Sequence, residues 1–576
     1  MAMIDPMIPL RLRIEAATRA ALGDDAANAD PALHRSQHAD YQADLAMALG
    51  RKLGRKPRDV AAEIAAKLPA DDVIASVEVS GPGFLNIVLR AEYLASEVTA
   101  MRQGARLGVP LAAAPETVVV DYSAPNVAKE MHVGHLRSTI IGDAIARLLE
   151  WQGHRVIRRN HVGDWGTPFG MLIEHLLDES AAGTGAGVRE LGAFYRAARA
   201  KFDGNPAFAA RARQRVVLLQ SGDAQTLAHW RRLIDISVEH FSELYAALGV
   251  TLRPSDVVGE SSYNTLLPGL VEELVVKGLA RESEGAMCVF PPGFSGREGE
   301  PVPLIIRKQE GGYGYATTDL AALRQRVGEL GARRVIYVVG SPQTQHLAMV
   351  FAVARLAGWM PESTRLEHVA FGSVLGPDKK MLKTRAGDSV RLSELISEAI
   401  ALAAAAVAEK APDLPADKQS QIAAAVGVGA VKYADLANDR IKDYVFDWKR
   451  MLAFDGNTAP YLMYAHARIR SILRKAAASG AAPGAIVLEA PQERALALTV
   501  VQLAGILDRT AETLQPHRIC AFLYDLATSF TGFYEGCPVL KSEGATRASR
   551  LALCEVVARA LALGLELLGI AAPDQM

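Results

Sequence analysis

Two histidines three residues apart are the side chains of this chain best suited to hold a phosphate group. His132 and His135 flank Gly134, and two lysines, Lys380 and Lys383, follow far along the chain. Together, two imidazoles and two ammonium groups could bind one triphosphate. Gly134 has no side chain, so a flat base could approach the backbone closely at that point. Histidines at this spacing often occur by chance near a helix start, so the tetrapeptide alone favours a structural role.

The residues around this pair predict a strand, a loop, a helix and a second strand. An apolar run covers residues 118–120, residues 136–149 have apolar positions at helical spacing, and a second apolar run covers residues 156–162. The loop then lies at the carboxyl end of a strand and the amino end of a helix, where free N–H groups and the helix dipole favour an anion. The histidines are therefore expected where phosphates would bind. Further strand-like runs lie at residues 73–79, 84–88, 335–339 and 368–374.

Length and composition indicate an ordinary globular protein with several cores. The 576 residues are 50% hydrophobic and suggest roughly two to four domains. The formal net charge of -1 gives no sign of a nucleic-acid partner, so such a partner would have to bind at local patches. We find no membrane-spanning apolar run and no secretory signal, so a cytoplasmic location is expected. The four cysteines are scattered, which predicts neither a zinc site nor a disulfide framework.

Three regions differ in pattern along the chain. Residues 1–112 predict a compact α+β unit. Residues 113–395 alternate between strand and helix signals, with an insertion at about 183–299. Residues 396–576 are rich in alanine and leucine at helical spacing and predict an all-helical domain.

Five segments in a fixed order give the chain a family resemblance. Residues 121–138, DYSAPNVAKEMHVGHLRS, resemble the first motif region of bacterial-type arginyl-tRNA synthetases, which are class I aminoacyl-tRNA synthetases. The resemblance runs from GPGFLN at residues 81–86 to the terminal PDQM, so it covers nearly the whole chain. The other similar segments are NHVGDWG at residues 160–166, YATTD at 315–319, DWKRML at 447–452 and NTAPY at 457–461.

The resemblance implies both a fold and a reaction. The fold is a Rossmann-type parallel-sheet catalytic domain with an inserted connective domain, an N-terminal α+β domain that contacts the tRNA elbow, and a C-terminal helical anticodon-binding domain. Arginine and ATP would form arginyl-adenylate and pyrophosphate, and the arginyl group would pass to the 3′ end of tRNA(Arg). The implied partners are tRNA(Arg), L-arginine and ATP with Mg²⁺ as a substrate. No tightly bound cofactor, zinc or membrane is expected, and the family is mostly monomeric.

The triphosphate site is assigned by the same resemblance. Lys129 matches a family lysine that compensates for weak lysines in the second motif, but this chain keeps both, so the contribution of Lys129 stays open. Catalytic roles are expected for His132, His135, Lys380, Lys383 and Lys129. The residues expected to contact ATP are His132, Gly134, His135, His346, Lys380 and Lys383.

Arginine carries a planar guanidinium with five donors, so its pocket should be acidic. A site whose buried acceptors need that fork rejects lysine, by about 10⁴-fold. Asp319 and Tyr315 are two of the residues that the resemblance assigns to this pocket. Their structural alternatives are that Asp319 caps a helix over residues 320–327 and that Tyr315 is a half-buried core aromatic. His161 and Asp164 are expected to shape the pocket wall, with a buried core histidine as the alternative for His161. By resemblance, the arginine-binding residues are Asp121, Ser123, Asn126, Tyr315, Asp319 and Gln343.

RNA contacts are assigned to both ends of the chain. Phe84 and Asn86 match the region of the family that contacts the tRNA elbow. Aromatic and basic residues in the helical region could stack on bases and contact phosphates. The residues expected at the anticodon are Trp448, Tyr461, Tyr464 and Arg468.

Two other functions compete with this interpretation. A small nucleotidyltransferase of the same histidine-motif superfamily would explain the ATP site, but it leaves the helical third of the chain without a task. A catalytically retired tRNA-binding paralogue would normally have lost histidines or lysines of the two motifs, whereas this chain keeps all four.

Overall fold

A four-stranded antiparallel sheet with helices on one face forms the start of the computed structural model, which describes residues 3–181, 191–309, 311–382 and 390–576. The strand order is β1-β2-β4-β3. Leu85 and Ile87 of β4 enter the core, whereas Phe84 and Asn86 lie on the half-exposed opposite face, as the period of a strand requires. The elements are α1 Met7–Leu22, α2 Asp24–Ala27, β1 Leu33–Arg35, β2 Tyr41–Ala43, α3 Leu45–Leu53, α4 Pro57–Ala66, β3 Ile74–Ser80, β4 Phe84–Leu89 and α5 Ala91–Gln103.

A five-stranded parallel sheet of order β12-β11-β5-β6-β7 forms the middle of the chain. The winding reverses between β5 and β11, so a crevice opens at the carboxyl ends of these two strands. The elements are β5 Thr117–Asp121, α6 Val133–Trp151, β6 Arg155–Val162, α7 Thr167–Ala181, α8 Leu191–Gly204, α9 Pro206–Ser221, α10 Ala224–Leu248, β7 Val257–Gly259, α11 Leu267–Val276, β8 Ala280–Ser283, β9 Ala286–Val289, β10 Leu304–Arg307, α12 Tyr315–Gly328, β11 Arg334–Tyr337, α13 Thr344–Leu356, β12 Arg365–His368 and β13 Val374–Leu375.

The stretch expected as one insertion, residues 183–299, contains two separate units. Helices α8 to α10 precede β7, which pairs with β6 and so belongs to the parallel sheet. The small antiparallel sheet of β8, β9 and β10 follows. β7 has three residues, too few for a periodic pattern to reveal it.

The strand predictions succeed where the apolar runs are long. β3, β4, β5, β6 and β11 confirm five of them. The strand predicted over residues 368–374 is wrong, because β12 ends at His368 and β13 begins only at Val374. Between them Gly372 lies against the later chain, where an added Cβ would stand 2.5 Å from Asp443 Oδ1.

The last third of the chain is helical, and it is joined firmly to the sheet. β14 pairs in parallel with β13. Arg137 of α6 pairs with Asp435 of α15 at 3.0 Å, and their side chains are 1% and 0% exposed. The four cysteines are buried and free, and no described helix is long and apolar enough to cross a membrane. The elements are α14 Leu392–Lys410, α15 Ala416–Leu436, β14 Tyr444–Val445, α16 Trp448–Met451, α17 Ala459–Ala478, α18 Pro491–Val500, α19 Leu503–Thr513, α20 His517–Gly536 and α21 Gly544–Leu567.

Candidate active site

The two histidines form the amino-terminal cap of α6. Nδ1 of His132 accepts a hydrogen bond from the Gly134 N–H at 3.1 Å, and Nδ1 of His135 accepts one from the His132 N–H at 3.1 Å. The ring centres are 4.1 Å apart. A Cβ on Gly134 would lie 2.8 Å from Cε1 of His132, so glycine allows the capping ring to close over this turn. Because each Nδ1 accepts a bond, each neutral ring carries its proton on Nε2.

Both rings are neutral near pH 7. Burial and then the charge of Lys129 lower the pKa of His132. Burial and then the neighbouring His132 lower the pKa of His135 to about 4. Neutral Nε2–H groups at a helix start can donate to a phosphate, but the positive charge must come from lysines and from the helix dipole.

The lysines expected at the triphosphate are placed differently from one another. Lys129 is exposed, and its Nζ lies 4.8 Å from the ring centre of Tyr195 in α8. Lys380 is exposed in a turn, where its N–H donates to Oδ1 of Asp378 at 3.1 Å and its carbonyl accepts from the Gly376 N–H at 2.7 Å. The prediction for Lys383 lies outside the described residues.

Residues 390–392 follow Lys380 and Lys383 in the chain, and they contact the residues beside the histidines. The Val133 N–H donates to the Val390 carbonyl at 2.9 Å, and the Leu392 N–H donates to the Met131 carbonyl at 3.0 Å. One end of the segment that carries Lys380 is therefore tied to the start of α6.

The charges of Asp164 and Asp319 both act on the carboxyl group of Glu260, and we call these three residues the acidic pocket. Asp319 Oδ2 lies 2.7 Å from Nε2 of His346. The ring of His346 meets that of Tyr315 edge-on at 4.8 Å. The structure thus joins His346, expected at ATP, to two residues expected at arginine.

The structural alternatives for two of these residues are wrong. α12 begins at Tyr315, so Asp319 lies one turn inside the helix and does not cap it. Tyr315 is 66% exposed and is not a core aromatic.

Glu260, which the sequence interpretation missed, is the most perturbed carboxyl of the acidic pocket. Burial and then repulsion from Asp319 and Asp164 raise the pKa of Glu260 to about 7. Among the described residues, none gives its carboxylate a hydrogen bond or an ion pair. A half-buried carboxylate beside two others is stabilised by a cation. Glu260 follows the short β7 directly, so the missed strand concealed it.

Asp164 holds this segment in place. Its two carboxylate oxygens accept bonds from the N–H and the hydroxyl of Ser261 at 2.9 and 2.6 Å. A Cβ on Gly259 would lie 1.9 Å from Asp164 Oδ2, so this position accepts no side chain. The role expected for Asp164 in the pocket wall stays a prediction.

Two residues expected at arginine have buried partners of their own. Asp121, at the end of β5, lies 2.7 Å from Nη2 of Arg326, whose side chain is 0% exposed. The hydroxyl of Ser123 accepts a bond from the Thr139 hydroxyl at 2.9 Å and lies 2.7 Å from the Tyr245 hydroxyl. This geometry does not favour direct contact of Asp121 or Ser123 with a substrate, although both lie where β5 meets the crevice.

Asn126 and Gln343 are exposed on opposite sides of that crevice. Asn126 follows β5 and lies beside Gly163, where a Cβ would stand 2.7 Å from its Oδ1. Gln343 ends the short 3-10 turn Ser341–Gln343 between β11 and α13. The side chain of His161, in contrast, is only 9% exposed, burial lowers its pKa, and its Nδ1 lies 3.9 Å from Asp121 Oδ2.

The residues expected to contact RNA fall on two surfaces. Phe84 and Asn86 share the half-exposed face of the antiparallel sheet, and Asn86 Nδ2 donates to the Ser80 hydroxyl at 2.9 Å. In the helical part, Tyr464 of α17 is 46% exposed. The other three have aromatic or hydroxyl neighbours: Trp448 with Phe446 at 4.6 Å, Tyr461 with the Thr531 hydroxyl at 3.2 Å, and Arg468 over the Tyr534 ring at 4.0 Å.

The chain is similar along its length to known proteins of one family. The family model for tRNA synthetases class I (R), catalytic domain, matches residues 98–448. Models for the Arginyl tRNA synthetase N terminal domain and the DALR anticodon binding domain match residues 10–89 and 462–576. An arginine–tRNA ligase of Thermobifida fusca is 53% identical over 578 residues, with 100% of both chains covered.

Solved structures show the same similarity in three dimensions. The arginyl-tRNA synthetase of Plasmodium falciparum has a TM-score of 0.86 at 27% identity, with 100% of each chain covered. That of Thermus thermophilus has a TM-score of 0.83 at 28% identity, covering 98% of this chain and 100% of the other.

Proposed function

The chain belongs to the arginyl-tRNA synthetase family, and from that membership we propose which of its side chains bind ATP, arginine and tRNA. The protein is an ATP-dependent arginine–tRNA ligase. It activates L-arginine with ATP, giving arginyl-adenylate and pyrophosphate, and then transfers the arginyl group to the 3′ end of tRNA(Arg) with release of AMP. A catalytically retired paralogue has no support, because the relatives are ligases along their full length.

ATP binds at the start of α6 in this proposal. In the first step an oxygen of the arginine carboxylate attacks the α-phosphorus, and the bond to the pyrophosphate oxygen breaks. The Nε2–H groups of His132 and His135 donate to phosphate oxygens, and Gly134 leaves room for the nucleotide. Lys129 and Lys380 add positive charge beside them, together with Lys383. We expect ATP to enter with Mg²⁺.

Arginine binds in the acidic pocket with its guanidinium between Asp319 and Glu260. The carboxylate of Glu260 has no hydrogen-bond or ion-pair partner in the part of the chain that the structure describes, and its pKa is raised to about 7; this observation carries the assignment. Tyr315 and Gln343 complete the side-chain site, while Asn126 contacts the α-amino end. His346 orients Asp319 through their 2.7 Å contact, and this contact supports a role for His346 at arginine beside the role expected at ATP.

Asp121 and Ser123 act indirectly in this proposal. Arg326 compensates the charge of Asp121, so the net negative charge that a guanidinium meets comes from the acidic pocket. Ser123 fixes the loop after β5 through its buried hydroxyl network.

tRNA would lie across both ends of the protein. The half-exposed sheet face around Phe84 and Asn86 would contact the elbow. The α17 surface would contact the anticodon, with stacking from Tyr464 as its most exposed aromatic group. Trp448, Tyr461 and Arg468 border that surface. We expect the protein to act as a monomer in the cytoplasm.

Steady-state ATP–pyrophosphate exchange with saturating tRNA tests which residues bind ATP and which bind arginine. His135→Ala should lower the rate by roughly 10²–10³-fold and raise the KM for ATP. Asp319→Ala should raise the KM for arginine by roughly 10- to 100-fold, because it removes a charged acceptor. Glu329→Ala, just beyond the other end of α12, is the control and should behave as wild type. Unchanged kinetics in either site variant would refute the role of that residue.

A further inference from the structure

Helix α8 packs directly on the segment that precedes the histidines. Its Gly192 is so close to Glu130 that an added Cβ would lie 2.5 Å from Glu130 Oε2. Glu130 is fixed from its other side by Arg391, at 2.9 Å. One turn further along α8, the ring of Tyr195 lies under the Lys129 ammonium, 4.8 Å from Nζ to the ring centre.

The ammonium held there is already close to the proposed triphosphate site. The charge of Lys129 contributes to lowering the pKa of His132 and of His135, after burial and, for His135, after His132 itself. With its ammonium over the Tyr195 ring, Lys129 is therefore still close enough for its charge to act on both histidines.

We propose that Tyr195 is a positioning residue, which holds the Lys129 ammonium beside His132 and His135 before ATP arrives. The face of a tyrosine ring attracts an ammonium through its quadrupole. A free lysine side chain samples many rotamers, and it loses that freedom when it binds a phosphate. A ring that already restricts the side chain lowers this entropic cost, and so increases the effective concentration of the charge at the reacting phosphate.

This inference rests on the role proposed above for Lys129, but it adds a second residue from a different part of the chain. It gives α8 a task in the adenylation step, because the helix supplies one wall of the lysine site. The phenolic hydroxyl has no part in the contact, so the aromatic ring alone should be sufficient.

Four variants distinguish a positioning role of Tyr195 from a purely structural one. Tyr195→Leu removes the ring, and Tyr195→Phe keeps it. Lys129→Met removes the ammonium. Phe202→Leu is the matched control, because Phe202 lies on the same helix and also faces cations, with Arg199 and Arg213 at 5.7 and 5.6 Å, but belongs to no proposed site.

ATP–pyrophosphate exchange should distinguish the variants. Tyr195→Leu should lower kcat/KM for ATP by roughly two- to five-fold, the range expected for one exposed cation–π contact. Its KM for arginine should not change. Tyr195→Phe and Phe202→Leu should match wild type. In the Lys129→Met background, Tyr195→Leu should cause no further loss, because the two changes remove one interaction.

Every other outcome contradicts a specific part of the proposal. If Lys129→Met costs activity but Tyr195→Leu does not, the positioning role of Tyr195 is wrong while the role of Lys129 stands. If Lys129→Met has wild-type kinetics, the role proposed for Lys129 is wrong, and the inference fails with it. Additive losses in the double variant, or failure of Tyr195→Phe to restore activity, would assign Tyr195 a structural role.

Discussion

Changing the pH should change the affinity for arginine through Glu260. Its pKa in the free protein is raised to about 7 from an ordinary value of 4.5, first by burial and then by Asp319 and Asp164. A guanidinium pairs with the ionised form, so bound arginine favours loss of that proton. The affinity should therefore rise as the pH rises through about 7 and fall below it.

The magnitude follows from the fraction ionised. With a pKa of about 7, roughly one tenth of Glu260 is ionised at pH 6 and roughly nine tenths at pH 8. If only the ionised form binds, the KM for arginine is about tenfold higher at pH 6 than at pH 8. Glu260→Gln should abolish this difference between pH 6 and pH 8. It should also raise the KM at pH 8 by roughly 10- to 100-fold, since a neutral amide replaces a charged acceptor.

The raised pKa of Glu260 also affects the stability of the free protein. Rising pH should strengthen arginine binding but lower this stability. A carboxyl whose folded pKa lies above its unfolded value costs stability as the pH rises from about 4.5 to about 7, and the full cost is present above that range. Glu260→Gln should therefore stabilise the free protein at pH 8, by at most about 3 kcal/mol. The gain should be absent at pH 4.

Arginine KM values measured between pH 6 and pH 8, with thermal unfolding measured between pH 4 and pH 8, test both halves of this prediction. Glu272→Gln, an exposed change on the neighbouring helix α11, is the control. A pH dependence that survives in Glu260→Gln would show that another group titrates. If Glu260→Gln is less stable than wild type at pH 8, the ionised Glu260 carboxylate does not destabilise the free protein as proposed.

The remaining predictions concern the cap, the buried ion pair and the RNA surface. His132→Asn keeps a cap acceptor but loses the Nε2–H donor, so exchange activity should fall while the melting temperature stays near wild type; His132→Ala should also lose about 1 kcal/mol in urea unfolding. Arg137→Met should cost about 3–5 kcal/mol in urea unfolding, because it leaves Asp435 buried without its partner, and Asp435→Leu in the same chain should recover most of that loss. Tyr464→Ala should raise the KM for tRNA roughly ten-fold or more in aminoacylation, through lost base stacking, without changing the KM for ATP. A small Arg137→Met effect, or an unchanged KM for tRNA in Tyr464→Ala, would contradict the respective assignment.

The sequence was informative wherever a pattern was long. Nineteen residues of α6 display their apolar positions clearly, and its flanking strands are continuous apolar runs, so the unit that carries the histidines could be predicted with its ends nearly correct. β7 has three residues and β13 has two, and neither length contains a period. The missed β7 also hid Glu260, whose position beside Asp319 depends on contacts between segments far apart in the chain.

Charge states were harder to predict than positions. The spacing of His132 and His135 suggested phosphate contacts, but their neutrality depends on burial and on nearby charge, which no motif encodes. Asp121 was expected at the substrate from its place in the motif, yet its partner is Arg326, which stands 205 residues later and is fully buried. The sequence also left open whether Asp319 caps a helix. Because α12 begins at Tyr315, Asp319 lies inside the helix and does not cap it.

Aminoacylation of tRNA(Arg) with arginine, citrulline or lysine tests the central claim that the acidic pocket selects a guanidinium by its charge and its shape. Citrulline has nearly the shape of arginine but no charge, and lysine has the charge without the planar fork. The structure predicts charging with arginine, and a loss of about 10⁴-fold in kcat/KM for lysine, because its ammonium leaves acceptors unpaired. Citrulline should also be rejected, since Glu260 and Asp319 would stay uncompensated. Charging with citrulline at a rate near that of arginine would contradict the account.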